Sequence, residues 1–292
     1  MYAEQPKGGS SSSWKRRQLK LANVAAGFAS AVQPIFAQTI ITDSEGLEAG
    51  PVTIPTPDGE IPGYRAKPTG SGPFPLVLVV QEIFGVHEHI QDICRRLGKL
   101  GYVAVAPELF FRQGDVSQLQ SLEEIRAIVS QVPDAQVMSD LDAAVDWAIG
   151  NSGADPERVG ITGFCWGGRI TWLYAAHRPG LKAGVAWYGR LVGESTPLTP
   201  RHPLDVAASL KAPVLGLYGG ADTSIPLETV EQMKSALEAC GDPSQLIIYP
   251  DAPHAFFADY RPTYRPEAAG DAWERLQAWF REHGLAQGSR SQ

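Results

Sequence analysis

The stretch that most constrains the fold is residues 159–168, where an apolar, strand-like segment runs into a glycine-rich turn. Its turn has the pattern Gly-x-Cys-x-Gly, formed by Gly163, Cys165 and Gly167. This spacing is typical of a sharp strand-to-helix turn in which glycines leave room for neighbouring backbone and the central side chain is exposed. A cysteine there lies at a helix N-terminus, whose partial positive charge favours the thiolate. Cys165 is therefore either a nucleophile or, as is usual for a free cysteine, a small buried residue.

Composition excludes several classes of partner and site. The chain has 292 residues, 43% of them hydrophobic, which suits one large α/β domain or two small ones. A net charge of −7 argues against nucleic acid and against an anionic membrane surface. The three cysteines, Cys94, Cys165 and Cys240, are too few and too scattered for a disulfide framework or a zinc site. Cys94 falls on an apolar helical face and Cys240 at a helix end, so both are expected to be structural.

The first 37 residues have the pattern of an export signal. A basic block at 14–20 precedes the uncharged residues 21–32, and Ala37 provides a small residue for cleavage. The pair Arg16-Arg17 resembles a twin-arginine signal. We expect an exported, periplasmic protein with no stable membrane span after cleavage. The alternatives for this segment are a basic amphipathic helix and a signal anchor. The alternative location is the cytoplasm.

After a linker at 38–50, strand patterns alternate with helical patterns through residues 51–284, and 285–292 form a tail. The turn dipeptide Asp58-Gly59 predicts an antiparallel hairpin at a sheet edge. Residues 74–80 form an apolar run that is typical of a strand buried on both faces. The alternation predicts a single α/β domain with a mostly parallel central sheet and helices on both faces.

Four chemically useful residues directly follow predicted strands, at the edge where catalytic groups collect in such sheets: Glu82, Cys165, Asp222 and His254. A histidine can take the proton of a thiol and return it to a leaving group. An aspartate can fix the imidazole tautomer and stabilise its cation. Taken singly, Asp222 could equally cap a helix, and His254 could be a turn residue.

Glu82 follows a fully apolar run, and an unpaired charge is costly in the core, so we expect it in the site. The backbone N–H groups of Ile83 and Trp166 would form an oxyanion hole. His87-Glu88-His89 looks like a metal-binding pair, but no third ligand stands at suitable spacing. We therefore expect no metal.

Four sequence blocks resemble the dienelactone hydrolase (carboxymethylenebutenolidase) family of the α/β-hydrolase superfamily. They are Gln-Glu-Ile-Phe-Gly at 81–85, Gly-Phe-Cys-Trp-Gly-Gly at 163–168, Tyr-Gly-Gly-Ala-Asp at 218–222 and His-Ala-Phe at 254–256. The resemblance implies an α/β-hydrolase fold and a catalytic triad of Cys165, His254 and Asp222. It also implies hydrolysis of a small-molecule enol-lactone or ester through an acyl-cysteine intermediate, without a cofactor.

The same resemblance assigns roles around the triad: Glu82 contacts the thiol and promotes its ionisation once substrate arrives, Arg112 binds a substrate carboxylate and Tyr188 lines the pocket. The family has a second arginine four residues after the histidine, where this chain has Ala258. Arg261 or Arg265 could take its place. The alternatives are a general carboxylesterase or thioesterase for neutral substrates, and a non-catalytic exported binding protein. Oligomeric state does not follow from the sequence.

Overall fold

The computed structural model describes residues 39–286, so the export signal predicted for 1–37 lies outside the described residues. Within this range the strands are β1 (Leu47–Thr56), β2 (Gly59–Pro68), β3 (Phe74–Val80), β4 (Val103–Pro107), β5 (Ala154–Phe164), β6 (Leu181–Trp187), β7 (Val214–Gly219) and β8 (Gln245–Tyr249). The helices are α1 (Glu88–Lys99), α2 (Leu122–Val129), α3 (Asp134–Ser152), α4 (Trp166–His177), α5 (Pro203–Val206), α6 (Leu227–Cys240) and α7 (Pro266–Glu282). None of these helices is both long and apolar enough to cross a bilayer.

The eight strands form one sheet in the order β1-β2-β4-β3-β5-β6-β7-β8. β2 pairs antiparallel with β1 and β4, and β3 to β8 run parallel to one another. The hairpin predicted around Asp58-Gly59 is confirmed, since Thr56 pairs with Gly59 across the β1–β2 turn. The predicted fold class, a mostly parallel sheet in an α/β-hydrolase fold, is therefore confirmed.

Apolar side chains build a core on each face of the sheet. Every residue of β3 is buried, as its unbroken apolar sequence predicts. α1 and α7 cover one face, and α3, α4 and α6 cover the other. Burying each Leu, Ile or Phe side chain stabilises the fold by roughly 1.5–3 kcal/mol. The two cores hold the sheet rigidly, which fixes the positions of side chains at its carboxyl edge.

The predicted domain limits need two corrections. The linker predicted for 38–50 is part of the fold, because β1 begins at Leu47 and the Thr42 N–H donates to Asp92 Oδ1 at 2.5 Å. The tail predicted from residue 285 begins too early. Leu285 is fully buried, and a Cβ at Gly160 would stand 2.2 Å from its Cδ2 atom. Gly160 thus leaves the space that Leu285 fills after α7 ends.

Candidate active site

Cys165 lies at the turn between β5 and α4. Its backbone φ is +55°, a strained value for a residue with a side chain. The glycines two residues before and after Cys165 make the turn possible, because a side chain at either position would collide with backbone atoms. A Cβ at Gly163 would come within 2.2 Å of the Gly167 carbonyl oxygen, and one at Gly167 within 2.4 Å of the Val80 carbonyl oxygen. The turn presents the thiol at the carboxyl edge of the sheet and at the N-terminus of α4.

The structure brings the thiol, a histidine and an aspartate into one hydrogen-bonded chain. His254 Nε2 lies 3.3 Å from Cys165 Sγ, and His254 Nδ1 lies 2.7 Å from Asp222 Oδ2. Asp222 is held in turn by the backbone N–H groups of Ser224 and Ile225, which donate to its Oδ1 atom at 2.7 and 3.2 Å. The aspartate can therefore accept from His254 Nδ1–H, which orients Nε2 toward the sulfur.

The electrostatics of this chain favour a charged imidazole. Burial alone would lower the pKa of His254, but hydrogen bonds with Asp222 and Cys165 outweigh it and raise the pKa to about 10. At neutral pH His254 is accordingly an imidazolium beside the sulfur. An imidazolium in this position stabilises a thiolate and holds a proton that can be passed to a leaving group.

The two backbone N–H groups predicted to form an oxyanion hole are those of Trp166 and Ile83. Trp166 is the first residue of α4, and Ile83 lies in the loop that follows β3. In the described part of the chain, neither N–H donates a hydrogen bond to another protein group. The Trp166 ring packs edge-on against Phe110 with centroids 4.7 Å apart, which fixes one wall of this region.

Glu82 is buried, and it makes no hydrogen bond to the thiol. Its Oε2 atom accepts from the Tyr260 hydroxyl at 2.5 Å and lies 3.3 Å from His87 Nε2. Burial favours the neutral acid, yet the hydrogen bond with His87 and nearby positive charge hold the pKa of Glu82 below its usual range. Both hydrogen-bond donors contact Oε2, and the buried Oε1 atom has no hydrogen-bond partner among the described residues. The contact with Cys165 expected when substrate arrives stays a prediction.

Tyr188 is fully buried next to the triad. Its ring meets the His254 ring edge-on, with centroids 5.2 Å apart. Among the described residues, its hydroxyl has no hydrogen-bond partner. Burial raises the pKa of Tyr188, and the negative charges of Glu82 and Cys165 act in the same direction, so the hydroxyl stays protonated. Within residues 39–286 it is an unpartnered donor beside His254.

A model of the dienelactone hydrolase family matches residues 61–284 of this chain. The chain belongs to the dienelactone hydrolase family. A Methylorubrum extorquens protein, provisionally named a carboxymethylenebutenolidase, is 64% identical over 273 residues, or 93% of this chain and 94% of that protein. A Yersinia pestis protein with the same provisional name is 57% identical, covering 83% and 91% of the two chains. A solved Klebsiella pneumoniae structure, provisionally described as a dienelactone hydrolase, superposes with a TM-score of 0.79 at 55% identity, covering 81% of this chain and 99% of that one.

Membership of the dienelactone hydrolase family confirms both the resemblance drawn from the four sequence blocks and the predicted enzyme class, a hydrolase of ester or lactone bonds.

Arg112 does not have the open guanidinium expected of a substrate anchor in a dienelactone hydrolase. It forms a two-pronged ion pair with Asp140, with N···O distances of 2.7 and 2.9 Å, and Nη2 also donates to the Thr56 hydroxyl at 2.5 Å. Asp140 is buried on α3 and requires a cationic partner there. The predicted role is corrected on this ground: Arg112 joins α3 to the β1–β2 turn, and its charge is already balanced.

Arg261 has the open guanidinium that Arg112 lacks. Its guanidinium carbon lies 5.7 Å from the ring centre of Phe84, in the loop that carries Ile83. Its positive charge acts to lower the pKa of both Glu82 and Tyr188. Within residues 39–286 its guanidinium makes no hydrogen bond and no ion pair. Arg265 differs, because it is exposed and donates to backbone carbonyls beside it.

The histidines that suggested a metal pair have other partners. His87 contacts Glu82, and His89 Nδ1 lies 3.1 Å from Asp259 Oδ1. Among the described residues, no group of three or more His, Cys, Asp or Glu side chains is arranged to hold a metal ion.

Sequence reasoning missed Tyr260, His87 and Glu108 as residues of the site region. Tyr260 and His87 fix Glu82, and no local pattern pairs them with it. Glu108 had a usable signal, since it directly follows the buried strand β4 as Glu82 follows β3. Its carboxyl group is buried against the loop after β3.

Proposed function

We propose that this dienelactone hydrolase family member hydrolyses a carboxylate-bearing ester or enol-lactone through an acyl intermediate on Cys165. One observation carries the proposal: the hydrogen-bonded chain from Cys165 through His254 to Asp222, built on a strained turn at a helix N-terminus. The names of the relatives from Methylorubrum extorquens and Yersinia pestis support a lactone as the substrate class.

In the acylation step the Cys165 thiolate attacks the carbonyl carbon and forms the C–S bond. Negative charge moves to the carbonyl oxygen, where the N–H groups of Ile83 and Trp166 stabilise it. When the tetrahedral intermediate collapses, the C–O bond breaks and His254 passes its proton to the departing oxygen. In a lactone that oxygen stays attached to the product.

In the deacylation step neutral His254 takes a proton from water, and the resulting hydroxide attacks the thioester carbonyl. The same two N–H groups receive the charge again. Collapse releases the carboxylic acid and the Cys165 thiolate, and His254 is an imidazolium once more. Asp222 holds the tautomer and stabilises the imidazolium throughout.

The experiment is detection of the acyl-enzyme. Mixing the protein with an activated ester such as p-nitrophenyl acetate and quenching in acid should add one acyl group, which peptide mapping should place on Cys165. Cys240 is exposed and serves as an internal control for nonspecific acylation. Turnover of the ester with no adduct on Cys165, or an adduct on Cys240 alone, would contradict the proposal.

Within this proposal, Arg261 is the residue that binds the substrate carboxylate. Its guanidinium makes no hydrogen bond or ion pair among the described residues and stacks on the loop that bears the Ile83 N–H. A guanidinium can hold a carboxylate through two parallel hydrogen bonds. Arg265 is less suitable because it points to backbone carbonyls at the surface.

Arg261→Gln should lower kcat/KM on a carboxylate-bearing lactone by about ten- to a hundredfold, since charged hydrogen bonds contribute roughly 1.5–3 kcal/mol. A neutral ester should change by less than about threefold, because it loses no ion pair. The measurement compares both substrates at one ionic strength. Arg265→Gln is the matched control and should leave both values unchanged. Equal losses on both substrates would remove Arg261 as the carboxylate anchor.

The pairing of Arg112 with Asp140 favours the alternative of a neutral ester or thioester substrate, because it takes one arginine away from the site. The kcat/KM values on the carboxylate-bearing lactone and on the neutral ester decide between the two substrate classes. Arg112→Ala leaves Asp140 buried without its partner, so it should destabilise the fold by about 3–5 kcal/mol and reduce both activities alike.

We propose, separately, that the protein is exported. The support is the Arg16-Arg17 pair before an uncharged run, in residues outside the described range. Sequencing of the mature N-terminus should find it near Gln38, and a periplasmic protein that still begins at Met1 would contradict cleavage.

A further inference from the structure

Glu108 is a half-buried residue whose carboxyl atom Oε1 is buried, and it lies beside the loop that carries the proposed oxyanion donor. It follows β4 at the same edge of the sheet as Cys165, and its own N–H donates to the Pro62 carbonyl at 2.8 Å. Its side chain reaches the loop after β3, where the Val86 N–H donates to Glu108 Oε2 at 2.8 Å. Ile83 lies three residues earlier in this loop.

The loop and the Glu108 carboxyl group fit closely around Gly85. This glycine has φ of +77°, and a Cβ there would stand 3.0 Å from Glu108 Oε2 and 3.2 Å from Oε1. The loop therefore turns directly over the carboxyl group. Glu108 provides the hydrogen-bond acceptor for this loop and the surface against which the loop packs.

We propose that Glu108 is a positioning residue that holds the Ile83 N–H in place for catalysis, and that it does so best in its uncharged form. This inference rests on the proposed cysteine mechanism, in which the Ile83 N–H receives the oxyanion. Glu108 has no proposed contact with substrate and acts through residues 83–86.

The uncharged form matters because, within residues 39–286, only one of the two carboxyl oxygens, Oε2, accepts a hydrogen bond. Among the described residues, Glu108 Oε1 is buried with no hydrogen-bond partner. Burial raises the pKa of Glu108 to about 7, against the opposing hydrogen bond from the Val86 N–H. The charged group that faces it is Asp115, on the loop after β4, and its negative charge raises the pKa further. Glu82, on the loop after β3, is held by Tyr260 and His87.

Ionisation of Glu108 would place a negative charge beneath the loop whose N–H must stabilise a second negative charge. The kcat of the wild-type protein on a neutral ester should therefore fall as pH rises from 6 to 8. The expected fall is roughly three- to tenfold, because a group with a pKa of about 7 loses most of its protons over this range and the ionised form is the less active one. A fall caused by His254 would persist when Glu108 is replaced, so a variant at Glu108 separates the two groups.

The decisive variant is Glu108→Gln, which keeps an acceptor for the Val86 N–H and cannot ionise. Its kcat should stay within about threefold of the wild-type value at pH 6 and should not fall between pH 6 and 8. Glu123→Gln, an exposed position on α2, is the matched control and should retain the wild-type profile. A Glu108→Gln profile identical to that of the wild type would overturn the proposal.

Two further measurements keep positioning apart from folding. Glu108→Ala leaves the Val86 N–H without an acceptor and should lower kcat about ten- to a hundredfold at every pH, with KM changed less than about threefold. If Glu108→Ala does not fold, the Glu108→Gln profile decides alone. In urea unfolding, the wild type should lose stability relative to Glu108→Gln as pH rises from about 4.5 to about 7, because the folded state keeps a proton that the unfolded state has released.

Detection of the acyl group on Cys165 tests the cysteine mechanism independently of the role of Glu108. An acyl group on Cys165 together with unchanged Glu108 profiles would overturn the role of Glu108 alone. Absence of the adduct with continued turnover would overturn the cysteine mechanism, and the Glu108 proposal with it.

Discussion

Replacing Cys165 with alanine is expected to lower kcat by about 10⁴-fold or more on every ester or lactone that the protein hydrolyses. The thiolate provides the only bond to the acyl group in the proposed mechanism, and alanine cannot form it. The Ile83 and Trp166 N–H groups remain in the variant, so a small residual rate from oxyanion stabilisation should persist. Steady-state kinetics on a lactone and on a p-nitrophenyl ester measures the loss.

The other two cysteines are the controls for this prediction. Cys94 is fully buried on α1, and burial raises the pKa of its thiol, so it cannot serve as a nucleophile. Cys240 is exposed at the end of α6, and its Sγ atom lies 3.3 Å from the Leu237 carbonyl oxygen. Cys240→Ala should keep full activity, and Cys94→Ala should keep kcat while losing some stability. Full turnover by Cys165→Ala would remove the cysteine as the nucleophile.

The fold and the three-residue chain were predictable from sequence because local patterns encode them. Glycines at 163 and 167 are required by contacts under 2.5 Å, so the turn is visible in the sequence itself. Asp222 follows β7 and His254 follows β8, and the carboxyl ends of parallel strands meet at one edge. Chain order and sheet order together were enough to place both near Cys165.

Long-range side-chain pairing was not predictable in the same way. Tyr260 donates a hydrogen bond to Glu82, which lies 178 positions earlier in the sequence. Asp140, in the middle of a helix, forms an ion pair with Arg112. Such partners depend on how helices and loops pack, and no periodicity records them. Family resemblance assigned roles to Glu82 and Arg112 by position alone, and the surrounding side chains decide what each group is free to do.

Asp222 offers the sharpest test of how the imidazole is controlled. Its Oδ1 accepts from the Ser224 and Ile225 N–H groups, while Oδ2 faces His254 Nδ1. In Asp222→Asn the amide oxygen should keep the two backbone hydrogen bonds, which directs the NH₂ group toward His254. Nδ1 must then accept, and the remaining ring proton moves to Nε2, facing the sulfur. A histidine in that tautomer cannot take the proton of the thiol.

Asp222→Asn should therefore lower kcat by about 10³- to 10⁴-fold without unfolding the protein. Loss of the carboxylate also removes one cause of the raised His254 pKa, so the imidazolium should lose its proton at lower pH. The alkaline limb of the kcat/KM profile, expected near pH 10 in the wild type, should move down by more than about one pH unit. NMR titration of His254 measures the same shift independently of turnover. Asp251→Asn, at an exposed turn position three residues before His254, should change neither quantity. A kcat for Asp222→Asn within tenfold of the wild-type value would mean that Asp222 only caps the turn before α6, and that His254 needs no aspartate to work.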